Sequence, residues 1–154
     1  MSEDGLTLSI TRMIDAPADA IWKVWTERLE EWWCPKPWTT ELIEMDLRPG
    51  GRSAMIMRGP NPGEEHRIEG VFLEVIPARK VVFTDAYRVG WIPQTPFMTG
   101  FMEFHPKGDK TRYVGSARHW SEEAFKQHQE MGFEQGWSAV AAQLAALVEP
   151  APAI

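Results

Sequence analysis

The sequence predicts an α+β domain in which a curved antiparallel sheet of about six or seven strands wraps around a long C-terminal helix, with two short helices after the first strand. Three observations predict it. Between residues 39 and 119 apolar side chains recur at every second position, in runs broken by short turns, the pattern of adjacent antiparallel strands. At Ser121 the spacing changes to a helical one that continues to Val148. No repeat and no linker divides the 154 residues, so one domain over residues 6–149, with tails at 1–5 and 150–154, is expected.

Each element has its own signal. Leu6, Leu8 and Ile10 alternate with more polar residues and place the first strand over Leu6 to Ile14. Asp15 then offers a helix cap, Pro17 falls early enough to be tolerated, and Ile21, Trp22, Val24 and Trp25 follow at helical spacing. A second short helix, ERLEEWW, must end before Pro35 and turns Leu29, Trp32 and Trp33 to one side. Ile43, Met45 and Leu47 alternate with Glu44, Asp46 and Arg48 up to the Pro49-Gly50-Gly51 turn. In RSAMIMR, Ser53, Met55 and Met57 share a face, and GPNPGEE is a turn. Further strands are expected over Ile68 to Ile76, Lys80 to Tyr87, Thr99 to His105 and Thr111 to His119. Ser121 caps the final helix, Glu122 and Glu123 suit its first turn, and Phe133, Trp137, Val140, Leu144, Leu147 and Val148 form its apolar stripe.

Composition narrows the function. Sixteen Lys and Arg against 22 Asp and Glu give a formal net charge of −6, and no basic block is present that could neutralise a run of phosphates, so nucleic acid is not an expected partner. Cys34 is the single cysteine, which excludes an internal disulfide, and the N-terminus shows no signal-peptide pattern. A cytoplasmic protein without a membrane span is expected, as no apolar stretch approaches the roughly 20 residues a spanning helix needs. Eight Trp and eight Met are the unusual numbers, because both types suit adaptable apolar surfaces. Three of those tryptophans lie in the eleven-residue stretch EEWWCPKPWTT, where two prolines forbid a regular helix or central strand.

The words DAPADAIWKVWT, EEWWCPKPWTT, MDLRPGGR, GVFLEVIPARKVVFTD and HQEMGFEQGWSAVAAQLAALV, spread from Ile10 to Val148, resemble the family named for the activator of the heat-shock-protein-90 ATPase, within the START-like (SRPBCC) helix-grip superfamily. The sequence departs from that pattern at Cys34, where many relatives have glycine, and at Phe133, where tryptophan is frequent. The resemblance implies a cavity between the C-terminal helix and the concave face of the sheet, with the second helix and nearby loops at its mouth. Strand parity then assigns Met45, Met55, Met57, Phe83, Met102 and Tyr113 to the lining from the sheet, and Phe133, Gly136 and Trp137 from the helix. Trp33 and Trp38 fall at the mouth, where they either wall a ligand site or plug one end of the sheet. His119 ends the last strand on the parity of Tyr113 and Ala117, which turns it toward the cavity as a satisfied polar group or as a base.

Other chemistry has little support. His66, His105, His119 and His128 show no ligand spacing, and neither a metal nor a covalent cofactor is expected. Cys34 has no adjacent histidine to activate it. Gly132 and Gly136 each cost a helix interior about 1 kcal/mol against alanine. Either the helix presses close to the sheet there or the missing side chains leave room for a ligand. The expected function is binding of a small apolar or aromatic molecule by a monomer or homodimer, without catalytic residues. The alternatives are a co-chaperone-like module that stimulates the ATPase of a chaperone partner, and a cyclase or hydrolase acting on a hydrophobic substrate.

Overall fold

The computed structural model describes residues 6–150; the two tails expected from the sequence lie outside them, save Pro150. Strand β1 (Thr7–Ile14) leads into helix α1 (Ala18–Glu27) and a 3-10 turn (Leu29–Glu31). Strands β2 (Thr39–Met45), β3 (Arg52–Arg58), β4 (Glu65–Ile76) and β5 (Lys80–Thr84) follow as a meander. A small hairpin of β6 (Tyr87–Arg88) and β7 (Ile92–Pro93) precedes β8 (Met98–Lys107) and β9 (Lys110–His119). Helices α2 (Glu122–Glu130) and α3 (Phe133–Val148) complete the chain.

The main sheet has seven strands in the order β1-β9-β8-β5-β4-β3-β2, every pair antiparallel. The helices cover one face: α3 packs on β1 and α1, while α2 packs on β9 and β1. This is the α+β helix-grip arrangement that the resemblance implies. Ile14, Ile21, Trp25, Trp32, Phe104 and Leu144 are almost wholly inaccessible at its centre. Each such aliphatic or phenyl side chain contributes about 1.5 to 3 kcal/mol by leaving water. No helix among the described residues is long and apolar enough to cross a membrane.

Four local features differ from expectation. The C-terminal helix does not run unbroken from Ser121: α2 ends at Glu130 and α3 begins at Phe133. Gly132, between them, sits at φ 87°, a left-handed conformation that turns the chain and that only glycine adopts freely. Ser121 does cap α2, its Oγ accepting from the Ala124 amide over 3.1 Å. Asp15, by contrast, caps nothing; α1 starts after Pro17 with no side-chain cap, and the Asp15 amide donates instead to Glu149. The stretch expected as a second helix shortens to the 3-10 turn, because Trp32 leaves helical geometry at φ −134° ahead of Pro35. The strand expected over Lys80 to Tyr87 ends at Thr84, where Thr84 Oγ1 accepts from the Ala86 amide and turns the chain toward the hairpin.

A bulge in β2 decides which side chains face the helices. Leu42 pairs with Met55 and Glu44 with Ala54, leaving Ile43 as the extra residue. Leu42 and Met45 therefore both join Ser53, Met55 and Met57 on the inner face, whereas unbroken alternation would have put Ile43 there in place of Leu42.

Candidate functional site

Between the inner face of the sheet and helices α2 and α3 lies a cavity of about 430 Å³, within the range of small-molecule sites. The sheet contributes Ile10, Ser53, Met57, Ile68, Phe83, Met102 and Tyr113; the helices contribute His128, Phe133, Gly136, Trp137, Val140 and Ala141. Trp33 and Pro35 close it from the loop after the 3-10 turn. Exposed residues also border it, among them His66, Arg67 and Met131.

Of the residues singled out from the sequence, Trp33, Met57, Phe83, Met102, Tyr113, Phe133, Gly136 and Trp137 border this space. Trp38, Met45, Met55 and His119 do not. Met55 is buried between Ser53 and Met57 in the core, and Met45 packs against that core beyond the bulge. Trp38 stacks on His66, a lining residue, with ring centres 5.8 Å apart. His119 lies on the inner face but behind His128, which the spacing argument passed over. A buried pair at Ala124 and His128, four residues apart on one side of α2, was the available signal.

The tryptophan loop divides its work. Trp32 is wholly buried against Trp25, with ring centres 5.7 Å apart, so it plugs the end of the core. Trp33 is half-buried, meets Phe83 edge-on at 6.0 Å and forms cavity wall. The loop contains a cis peptide between Lys36 and Pro37. Helix α3 fixes it through Gln143, whose Nε2 donates to the carbonyls of Trp32 (3.0 Å) and Cys34 (2.7 Å) while its Oε1 accepts from the Lys36 amide (3.0 Å). These bonds satisfy three backbone groups that no strand or helix serves.

Glycines shape the lining. A side chain on Gly100 would run into the Phe83 ring, and one on Gly115 would meet Trp137 at 3.2 Å, so these two rings lie flat on glycine backbone. Gly136 is different. A β-carbon there would meet only Pro35 Cγ, at an ordinary contact distance of 4.0 Å, so no close helix–sheet approach requires the glycine.

The polar groups around the cavity are mostly engaged. The Tyr113 hydroxyl donates to Met102 Sδ over 3.1 Å, and burial pushes the phenol above its ordinary range, so it stays protonated. Asp85 Oδ1 accepts from the amides of Phe97 (2.9 Å) and Met98 (3.3 Å), tying the start of β8 in place. Cys34 is buried, accepts from Thr40 Oγ1 at 2.9 Å, and has its thiol pushed up by burial, the opposite of an activated nucleophile. Burial, and then the neighbouring His119, hold His128 down at about 4. Among the described residues no three His, Cys, Asp or Glu side chains converge to hold a metal ion.

The same architecture occurs in solved structures. A protein from Nitrosomonas europaea is 35% identical, with 92% of each chain covered and a TM-score of 0.86. One from Mycobacterium smegmatis is 29% identical over 99% of this chain and 96% of that one, with a TM-score of 0.80. The AHSA1-like protein from Aeromonas hydrophila shares the fold at 17% identity, with 91% and 90% covered and a TM-score of 0.68. No curated protein matches the chain. The family model for Activator of Hsp90 ATPase homolog 1-like protein matches residues 15–149. That match begins just after β1 and takes in every later element together with the tryptophan loop, and the chain belongs to the Activator of Hsp90 ATPase homolog 1-like family.

Proposed function

We propose that the chain binds a small apolar or aromatic molecule in the cavity between the sheet and α3. The observation that carries this reading is Gly136. A glycine inside a helix costs about 1 kcal/mol against alanine, and here it offsets no close contact; what it leaves is volume beside Phe133 and Trp137. The rings and methionines around that volume supply area and adaptability, and few charges compete for the ligand.

Native mass spectrometry of protein purified gently from its own host tests the reading. A retained small molecule, lost in Gly136→Leu, is the expected result. A bare polypeptide mass, together with no thermal shift on adding a naphthalene-class probe, would overturn it. The family description favours a second reading, an interaction module that stimulates a chaperone ATPase. Under that reading, chaperone capture survives Gly136→Leu, because the pocket takes no part in the contact.

A further inference from the structure

His119 and His128 bridge β9 and α2 at the edge of the cavity, and their protons can be followed one at a time. Nδ1 of His119 lies 2.8 Å from the Leu6 carbonyl oxygen, which can only accept, so this nitrogen carries a proton. Nε2 of the same ring lies 2.8 Å from Nδ1 of His128. In a neutral His119 that Nε2 holds a lone pair, which places the proton of His128 on its Nδ1. Nε2 of His128 is then a bare acceptor. It has no hydrogen-bond partner among the described residues. The residue is only 8% exposed and borders the cavity, and the rings of Phe97, Phe133 and Trp137 lie around it at 5.0, 5.0 and 6.0 Å. A donor on a bound molecule would complete the hydrogen bonding of this nitrogen.

We propose that the molecule taken by this cavity carries an uncharged O–H or N–H donor on an apolar aromatic body, and that Nε2 of His128 accepts from that donor, its free lone pair fixed by the relay from the Leu6 carbonyl through His119. The inference rests on the reading of the cavity as a ligand site. Phenols and aromatic alcohols fit it; carboxylates do not, since an anion would face a second acceptor. The groups around the ring agree. From β9 comes His119, already bonded on both sides; α3 presents Phe133 and Trp137, without charge; of the two carboxylates in the wall, Asp85 accepts from two backbone amides and Glu69 pairs with Arg52, while Arg67 borders the cavity as an exposed residue. Burial keeps the His128 ring neutral at pH 7, so it offers an incoming anion no cation.

Isothermal titration at pH 7 with 2-naphthol, naphthalene and 2-methoxynaphthalene tests the proposal, since only the first carries the donor. One hydrogen bond of this kind predicts 2-naphthol to bind about 3- to 10-fold more tightly than the other two. His128→Phe should abolish the preference, so that the three probes bind the variant within about twofold of one another. Imidazole ¹H–¹⁵N correlation spectra of the unmodified, ligand-free protein give an independent reading: His128 protonated at Nδ1 and bare at Nε2. Equal affinity for all three probes, or a proton on Nε2 of His128, would overturn the inference while leaving the cavity a binding site. Failure of every probe to bind would overturn the ligand-site reading and this inference with it.

Discussion

Gln143 and Cys34 join parts of the fold 109 residues apart in the sequence: Nε2 of Gln143 donates to the Cys34 carbonyl over 2.7 Å, so the helix that closes the cavity also sets the loop that carries Trp33. One side chain serves Trp32, Cys34 and Lys36 together. Gln143→Leu keeps the helix and similar bulk but strands those backbone groups. We expect a loss of about 2 kcal/mol, each half-buried bond contributing roughly 1 kcal/mol or less. The urea midpoint gives the loss, and a change in tryptophan fluorescence below that midpoint would show the loop moving first. A midpoint equal to wild type would mean that water replaces the amide without cost.

The two glycines that looked equivalent in sequence should respond in opposite directions. Gly136→Ala fills open space on a helix and should stabilise by up to about 1 kcal/mol; Gly136→Leu should keep that stability and abolish probe binding. Gly132→Ala also has room, its nearest contact being Gln135 Oε1 at 3.6 Å, but φ 87° forces the new side chain into the left-handed region at about 1 to 2 kcal/mol. Parallel urea melts of the alanine variants decide it, and shifts of the same sign would refute the assignment of the helix break to Gly132.

Stability should fall on mild acidification. An exposed histidine titrates near 6.5, whereas His128 in the fold is held at about 4. Above pH 6.5 both folded and unfolded states keep this ring neutral and the full stability is present. As pH falls from 6.5 toward 4 the unfolded chain takes up a proton that the folded one refuses, so stability is lost across that window by roughly 1 to 3 kcal/mol and levels off below it. His128→Phe should flatten this part of the urea-midpoint profile. An unchanged slope in the variant would assign the pH dependence to other groups.

Cys34 should behave as an inert core thiol. Burial raises its pKa, and the Thr40 hydroxyl and the bonds from Gln143 hold the loop closed around it. Alkylation by iodoacetamide at pH 8 should run at least about 100-fold slower in the folded protein than in urea. Rates within tenfold of each other would show that the loop opens readily and that the cavity wall at Trp33 is not fixed.

The sequence by itself determined the α+β class, the seven main strands, the Ser121 cap and the family, because these follow from periods of two and 3.6 and from words of local sequence. It also pointed to the cavity wall at Met57, Phe83, Met102 and Tyr113, although Met55 and His119, which share the parity of Met57 and Tyr113, fall outside it. The tertiary structure decided the rest. A single extra residue at Ile43 carries Leu42 and Met45 to the same face, and no alternation rule predicts where such a bulge falls. Gly132 reads as a costly helix residue until neighbours on both sides require the chain to turn there. The Gln143 clamp and the Leu6–His119–His128 relay join residues as much as 113 positions apart, so nothing in either local sequence reveals that one has the other as partner. Hydrophobic pattern specifies which face of an element is buried; which polar atom meets which inside that burial is settled only when distant elements dock and each donor must find an acceptor.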